Sequence, residues 1–285
     1  MDLLRDYSFW TVALGTVFLA LAASCVGTIT VLTKQSLVGD MVGHASYPGV
    51  VFAYMVFQSR QPILLMLGAM LSGYLSYGLV YWVSRHYRQS LTNGLALVSA
   101  GFFGLGMVLK QFVQGNAHFV NASQAGLQTY LFGQAAFIQK DDVFLILAMA
   151  TVCLILFVVH YQQFRLYLFD PVFAQTHGIR IGWLKQLTIL MMVGLIAVGL
   201  KVVGAILMSS FLIAPAVFGL LLGKSYPRAL LWSASLGMGA AFVGTYVSSL
   251  VSGLSTGPSI IVTMTGVTLL AYFGQLAMKG GRVHG

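Results

Sequence analysis

The 285-residue chain is 58% hydrophobic and only 7% charged, and it carries a formal net charge of +9. Because an ordinary soluble domain has about a quarter of its residues charged, this composition excludes a water-soluble globular protein. The basic residues are scattered at the ends of apolar segments, which is typical of loops facing an anionic membrane leaflet and argues against a nucleic-acid partner.

Nine segments of the chain approach the roughly 20 apolar residues that a membrane-spanning helix needs. They lie near residues 8–32, 42–59, 62–84, 93–113, 142–162, 184–200, 202–223, 229–251 and 259–278. The second segment and the 184–200/202–223 pair are the least distinct, so the expected count is eight or nine. The sequence therefore predicts an all-α, polytopic transmembrane helical bundle, built as a single domain over residues 1–285.

Basic residues indicate the orientation, because cytoplasmic loops are enriched in Lys and Arg. Alternating spans place ten of them on one side of the membrane: Lys34, Arg85, Arg88, Arg165, Arg180, Lys185, Lys224, Arg228, Lys279 and Arg282. The other side receives five: Arg5, Arg60, Lys110, Lys140 and Lys201. We therefore expect the C-terminus in the cytoplasm and, with nine spans, the N-terminus outside.

Two connections are longer than the others. Residues 114–141 are predicted to lie outside, as a loop or short helix packed over the mouth of the protein. Residues 163–183 are predicted to lie inside, where Asp170 and Pro171 form a helix-start signal and Gly178 a helix-stop signal. A short capped helix in the longest cytoplasmic loop favours a docking element, although an ordinary amphipathic connector has the same pattern.

Asp40 is the most informative residue for function. All six acidic residues are aspartates, and Asp40 alone opens a segment that then becomes apolar. Ionisable residues in membrane segments are costly and usually face the bundle interior or a water-filled path. His44 follows four residues later, on the same face of a helix, and this pair of ligand types suits Mn²⁺, Fe²⁺ or Zn²⁺.

Pro48 and three glycines accompany this pair. Pro48 leaves the carbonyl of residue 44 without its helical partner and favours a kink, and discontinuous helices often form substrate sites in transporters. Gly39, Gly43 and Gly49 would allow another helix, or a second protomer, to approach closely. The alternative is that Asp40 caps a helix and His44 is an ordinary helical histidine. Two ligands are too few for a closed metal site.

The sequence contains no Gly-x-x-x-x-Gly-Lys-Ser/Thr loop and no His-Glu-x-x-His helix. These motifs would indicate nucleotide hydrolysis and a zinc protease. We therefore expect a transport subunit that is not an enzyme, driven by another subunit or by an ion gradient.

Several motifs together resemble one family, the membrane permeases of bacterial manganese, zinc and iron ABC importers. They are Leu37-Val38-Gly39-Asp40 with His44 and Pro48-Gly49, Tyr130-Leu131-Phe132-Gly133, Phe169-Asp170-Pro171 with Ala174 and Gly178, Val203-Gly204-Ala205-Ile206-Leu207, Leu212-Ile213-Ala214-Pro215-Ala216, and Ser255-Thr256-Gly257-Pro258-Ser259. The resemblance extends over most of the chain, with the motifs in the family's order.

This resemblance implies a type II-like ABC importer permease in the bacterial plasma membrane. Two permease chains, identical or different, would form the pathway, with two ATPase subunits below and an extracellular solute-binding protein above. Asp40 and His44 match the pair thought to contact the metal in transit. Phe169, Asp170, Pro171, Ala174 and Gly178 match the coupling helix that fits a groove on the ATPase. No permanently bound cofactor is expected.

The predicted topology places Asp40 near the inner end of a span, whereas a gated transit site should lie deeper in the membrane. A re-entrant or broken segment around residues 34–50 would remove this disagreement. Two other functions are compatible with the sequence. One is a permease of the same architecture for a metal chelate or cofactor. The other is an ion-gradient-driven transporter or an intramembrane metalloenzyme, for which a single buried carboxylate is a poor supply of ligands.

Overall fold

The computed structural model describes residues 7–87, 90–116, 119, 126–127, 129–133, 138–205, 208–251 and 254–280. These residues form twelve helices and no strand: α1 Tyr7–Leu32, α2 Ser36–Phe57, α3 Pro62–His86, α4 Leu91–Gly115, α5 Thr129–Phe132, α6 Lys140–Val159, α7 Tyr161–Phe169, α8 Pro171–Thr176, α9 Ile181–Gly199, α10 Met208–Leu222, α11 Tyr226–Leu250 and α12 Thr256–Gly280. The predicted all-α fold is confirmed.

Seven helices in the described part of the chain are long and apolar enough to cross a membrane: α1, α3, α4, α6, α9, α11 and α12. Helices α2 and α10 complete the predicted nine. Helix α2 has 22 residues but carries polar side chains, and α10 has only 15 residues. At 1.5 Å per residue, α10 is about 22 Å long and shorter than the roughly 30 Å hydrocarbon core.

Helix α2 runs through the interior of the bundle, in contact with α3, α4, α9 and α10. At Gly39 and Gly49, the space beside the glycine is filled by other helices of the same chain. A Cβ atom on Gly39 would lie 3.1 Å from the Leu212 side chain of α10, and one on Gly49 would lie 2.1 Å from the Gly68 carbonyl oxygen of α3. The close approach predicted at these glycines is therefore made within one chain.

Three glycines in the middle of α4, Gly101, Gly104 and Gly106, have different surroundings. A Cβ atom on Gly106 would lie 2.6 Å from the Tyr47 ring, so this glycine allows close contact with α2. Nothing lies within 4 Å of the corresponding position on Gly101 or Gly104. Gly101 and Gly104 are exposed and lie on the outward face of α4.

The start of α2 corrects the sequence prediction in two respects. The helix begins at Ser36, not near residue 42, and continues through Pro48 to Phe57 without interruption. The expected broken segment is confined to the turn before the helix, where Lys34 has a left-handed backbone with φ of 59°. Asp40 consequently lies in the second turn of a regular helix.

Helix α10 also begins later than predicted, so the segment between α9 and α10 contains less helix. The second helix starts at Met208, not near residue 202, and residues 200–205 form turns that include Gly204 with φ of 92°. Val202, Val203 and Ala205 are nevertheless completely buried. Ile206 and Leu207 of the predicted motif lie outside the described residues. We call residues 200–205 the α9–α10 link.

The two long connections contain short helices. The inner connection predicted at 163–183 is largely helical. It contains most of α7, which begins at Tyr161, and all of α8. The outer connection predicted at 114–141 contains α5, whose Tyr130 and Leu131 are buried. Much of the outer connection lies outside the described residues.

Candidate metal centre

Asp40 and His44 lie one turn apart on the same face of α2. The Nε2 atom of His44 is 3.8 Å from the Oδ1 atom of Asp40, and the two side chains are 22% and 43% exposed respectively. A gap of 3.8 Å is too long for a hydrogen bond. It is short enough for one ion to touch both atoms, since metal–nitrogen and metal–oxygen bonds are each about 2.0–2.2 Å for zinc.

The helix-capping alternative for Asp40 is excluded by its position. Gln35 is the N-cap residue of α2, five residues earlier, and Asp40 is therefore an interior residue of the helix. The hydrogen-bonding capacity of the His44 ring is not fully used, because its Nδ1 atom is buried without a hydrogen-bond partner in the described structure. Both side chains are thus available for a function other than holding the helix together.

The pair borders a cleft of about 360 Å³ between α2 and α4. The cleft is lined by Leu37, Asp40, Met41 and His44 from α2 and by Thr92, Leu95, Ala96, Ser99, Ala100 and Phe103 from α4. These positions recur every three or four residues, so each helix presents a single face to the cleft. Thr92 and Ser99 bring the only hydroxyl groups to this lining.

Helix α4 is held against α2 by local features of its sequence. The Ser90 side chain accepts a hydrogen bond from the Asn93 amide at 3.2 Å and caps the start of the helix. The absence of a side chain at Gly106 allows the helix to meet Tyr47 and Pro48 of α2. One turn before Gly106, the Phe103 ring contacts the His44 ring edge to face, with centroids 5.2 Å apart.

Within the described residues, no group of three or more His, Cys, Asp or Glu side chains lies close enough to hold a metal ion. Asp40 and His44 therefore form an incomplete set in one chain. A structural zinc site uses about four protein ligands, so two ligands are suited to brief contact with an ion and not to permanent retention.

The segment predicted to couple to an ATPase is a separate short helix, α8, in the connection between α6 and α9. Asp170 caps it by accepting hydrogen bonds from the Val172 and Phe173 amides at 2.9 and 3.0 Å, and Pro171 occupies the first turn. The Ile179 amide donates to the Ala174 carbonyl at 3.1 Å, and Gly178 adopts φ of 78°. This closing arrangement ends the helix as predicted.

Helix α8 has one buried face and one exposed apolar face. Ala174 is fully buried, whereas Phe169, Val172 and Phe173 are 73%, 70% and 47% exposed. This cluster is an apolar patch on the connection itself. Helix α8 and the Asp40–His44 pair are different parts of the molecule, and the structure does not bring them together.

Sequence reasoning missed two groups of residues. The α4 lining of the cleft, including Phe103, was hidden because an isolated aromatic or serine in an apolar helix carries no specific signal. The other group is Asp142 and Lys201, which are 59 residues apart in the sequence. The Lys201 ammonium group donates a hydrogen bond to the Oδ2 atom of Asp142, forming an ion pair between α6 and the α9–α10 link.

Residues 6–275 match the sequence profile of the ABC 3 transport family. The chain belongs to the ABC 3 transport family. It is 35% identical to the zinc transport system membrane protein TroC of Treponema pallidum (strain Nichols), over 95% of this chain and 90% of TroC. It is 32% identical to the manganese transport system membrane protein MntC of Bacillus subtilis (strain 168), over 94% of this chain. The match spans 60% of that relative's length.

The fold of this ABC 3 family member is similar to that of a solved structure, PsaBC from Streptococcus pneumoniae in complex with Fab. The two superpose with a TM-score of 0.83 at 22% identity, covering 95% of this chain and 93% of the other. The family resemblance inferred from the motifs is therefore confirmed, as is its polytopic membrane fold.

Proposed function

We propose that this ABC 3 family chain is the transmembrane permease subunit of an ABC importer for divalent transition-metal ions, Mn²⁺, Zn²⁺ or Fe²⁺, in the bacterial plasma membrane. The observation that carries the proposal is the Asp40–His44 pair, a carboxylate and an imidazole 3.8 Å apart on one face of a helix and bordering a cleft. The names of the zinc and manganese relatives support the same class of cargo.

In this mechanism the ion is held briefly by a carboxylate oxygen of Asp40 and by Nε2 of His44. Two protein ligands leave most of the coordination shell to water, so the ion is bound weakly and can leave again. A second permease chain facing the cleft would add ligands and would cover the 43% of the Asp40 side chain that is exposed. Which of the three metals is carried depends on these additional ligands and on the extracellular binding protein.

Energy for transport would come from an ATP-binding cassette subunit docked on the inner side. The short capped helix α8 supports this assignment, because Phe169, Val172 and Phe173 expose apolar surface that a partner groove would bury. The helical structure of α8 would be maintained during the conformational change by Asp170, Pro171, Ala174 and Gly178. An extracellular solute-binding protein would deliver the ion at the opposite end, and the C-terminus would be cytoplasmic.

Uptake of radioactive Mn²⁺ and Zn²⁺ by whole cells expressing the complete importer tests this proposal. We expect Asp40→Asn and His44→Gln each to reduce uptake at least about tenfold, because each removes a metal ligand. Matched controls are Asp141→Asn and His86→Gln, which make the same chemical changes at exposed positions elsewhere in the chain. Normal uptake in both site variants at equal expression would overturn the assignment of the metal site.

One observation favours a second cargo, a metal chelate. The cleft volume of about 360 Å³ is many times the roughly 30 Å³ that one water molecule occupies in the liquid. A permease for an organic chelate would use the pair as a polar contact and not as direct ligands. Competition distinguishes the two: excess free Mn²⁺ or Zn²⁺ suppresses uptake of the bare isotope by an ion permease and does not suppress uptake of a chelate.

A further inference from the structure

The α9–α10 link is a meeting point for four segments of the chain. A Cβ atom on Gly133, after α5, would lie 2.3 Å from the Val203 carbonyl carbon, and one on Gly257 of α12 would lie 3.0 Å from the Val203 oxygen. The Ala205 amide donates a hydrogen bond to the Tyr130 carbonyl at 3.0 Å. Three of the six sequence motifs, those at α5, the link and α12, therefore meet at this buried irregular segment.

One end of the link is fixed by a buried ion pair. Lys201 pairs with Asp142, and their side chains are only 21% and 6% exposed. The same Oδ2 atom of Asp142 also accepts a hydrogen bond from the Gln139 amide at 2.8 Å and so fixes the first turn of α6. Burial and the Asp142 carboxylate raise the pKa of the neighbouring Tyr130, whereas Arg60 lowers it. Tyr130, Asp142 and Lys201 line one small cavity.

The other end of the link touches α2 beside the metal pair. A Cβ atom on Gly43 would lie 2.8 Å from the Ala205 carbonyl oxygen, so the two backbones are in direct contact. His44 is the next residue after Gly43, about 100° further around the helix, and it lines the cleft. A displacement of Ala205 therefore changes the support of α2 at the turn that carries His44.

We propose that Asp142 and Lys201 are positioning residues for metal transport, which hold the α9–α10 link against Gly43 and thereby set the position of the His44 turn of α2 in the cleft. The proposal rests on the proposed function for its transport readout only. The physical basis is that one member of a buried ion pair cannot be neutralised alone without leaving the other charge unpaired and buried. The charged group that has lost its partner either becomes hydrated or changes position, and the α9–α10 link is displaced as a result.

The transport test compares Asp142→Asn, Lys201→Met and the double variant in the complete importer. Each single change is expected to raise KM for metal uptake about tenfold with a smaller change in the maximal rate, as is typical for residues that orient metal ligands. Because the two residues act as a unit, the double variant is expected to cost no more than either single change. The matched control is Asp141→Asn, the same change at the exposed neighbouring carboxylate, which should leave KM unchanged.

A second measurement reports position without any metal. In a chain carrying His44→Cys, with the buried native cysteines Cys25 and Cys153 replaced by alanine, the thiol is labelled with a small methanethiosulfonate reagent. We expect Asp142→Asn or Lys201→Met to change the labelling rate at position 44 several-fold, and Asp141→Asn to leave it unchanged. Unchanged labelling in both pair variants, with the protein correctly folded, would overturn the proposal even if uptake fell.

The two measurements separate this proposal from the proposed function. If labelling at position 44 responds to the ion pair while Asp40→Asn and His44→Gln transport normally, the positioning role stands and the metal-site assignment fails. If the Asp40 and His44 variants lose uptake while the ion-pair variants keep the normal KM and labelling rate, the metal site stands and the positioning role is wrong.

Discussion

Gly49 of α2 and Gly68 of α3 are in direct backbone contact. A Cβ atom on Gly49 would lie 2.1 Å from the Gly68 carbonyl oxygen, and one on Gly68 would lie 2.4 Å from the Gly49 carbonyl oxygen. The Ser72 hydroxyl donates to the Ala45 carbonyl at 2.6 Å one turn away. Two membrane helices therefore approach as closely as their backbones allow, and no side chain can be inserted between them without separating them.

We expect Gly49→Ala and Gly68→Ala each to destabilise the folded protein by about 1–3 kcal/mol or more, because backbone atoms cannot move aside as a flexible side chain can. Gly78→Ala, also in α3, is the matched control, since nothing lies within 4 Å of its Cβ position. Thermal unfolding in detergent measures the difference. Equal melting temperatures for the three variants would contradict the close helix contact.

Filling the cleft should block transport without disturbing the fold. Ala100→Phe places a ring in the cleft opposite the metal pair, and we expect metal uptake to fall about tenfold or more because the ion can no longer reach productive geometry. Leu97→Phe is the control, because Leu97 is 65% exposed and does not line the cleft. Whole-cell isotope uptake at matched expression is the measurement, and full uptake by Ala100→Phe would place the path elsewhere.

Under the proposed docking of α8 on an ATPase subunit, removing the cap of α8 should weaken coupling. Asp170→Ala deletes the acceptor of two amide hydrogen bonds and should cost the short helix about 1 kcal/mol. We expect weaker stimulation of ATP hydrolysis by the assembled importer. Asp170→Asn keeps an acceptor oxygen and should retain most of the stimulation. If the alanine and asparagine variants behaved alike, the cap would not be the relevant contribution of Asp170.

Two glycines with positive φ should respond very differently to substitution. Gly178 has φ of 78° with open space around it, whereas Gly133 has φ of 68° and lies against the Val203 backbone. Alanine at either position incurs backbone strain of about 1 kcal/mol, but only Gly133→Ala also creates a clash. We therefore expect a clearly lower melting temperature for Gly133→Ala than for Gly178→Ala. The reverse order would contradict the packing of α5 on the α9–α10 link.

Much of the fold was predictable because hydrophobic segment length is a direct physical requirement of the bilayer. The uncertain segments were α2 and α10, and each has a local reason. Helix α2 is polar enough to need shielding by its neighbours, so its start at Ser36 cannot be found from hydropathy. Helix α10 starts late because the link before it is irregular yet buried, and an apolar buried turn has the same composition as a helix.

The candidate site was predictable only in part. Asp40 and His44 were identifiable because a carboxylate in an apolar segment is costly and a histidine four residues later shares its face. Phe103 and the Asp142–Lys201 pair were not identifiable, because their partners are distant in sequence and only tertiary packing brings them together. The neighbour of Gly43 was not identifiable for the same reason: it is Ala205, which lies in the irregular α9–α10 link of the same chain.

The buried residues 202–205 between α9 and α10 do not have the properties that loops usually have. The Val203 and Ala205 amides donate to carbonyls within the protein, at 2.9 and 3.0 Å, so neither needs water. Amide hydrogens there should exchange with deuterium as slowly as those of the surrounding helices, and proteases should not cut there. An epitope tag inserted at this apparent loop would disrupt the fold, so accessibility mapping by insertion would misassign the topology of the chain.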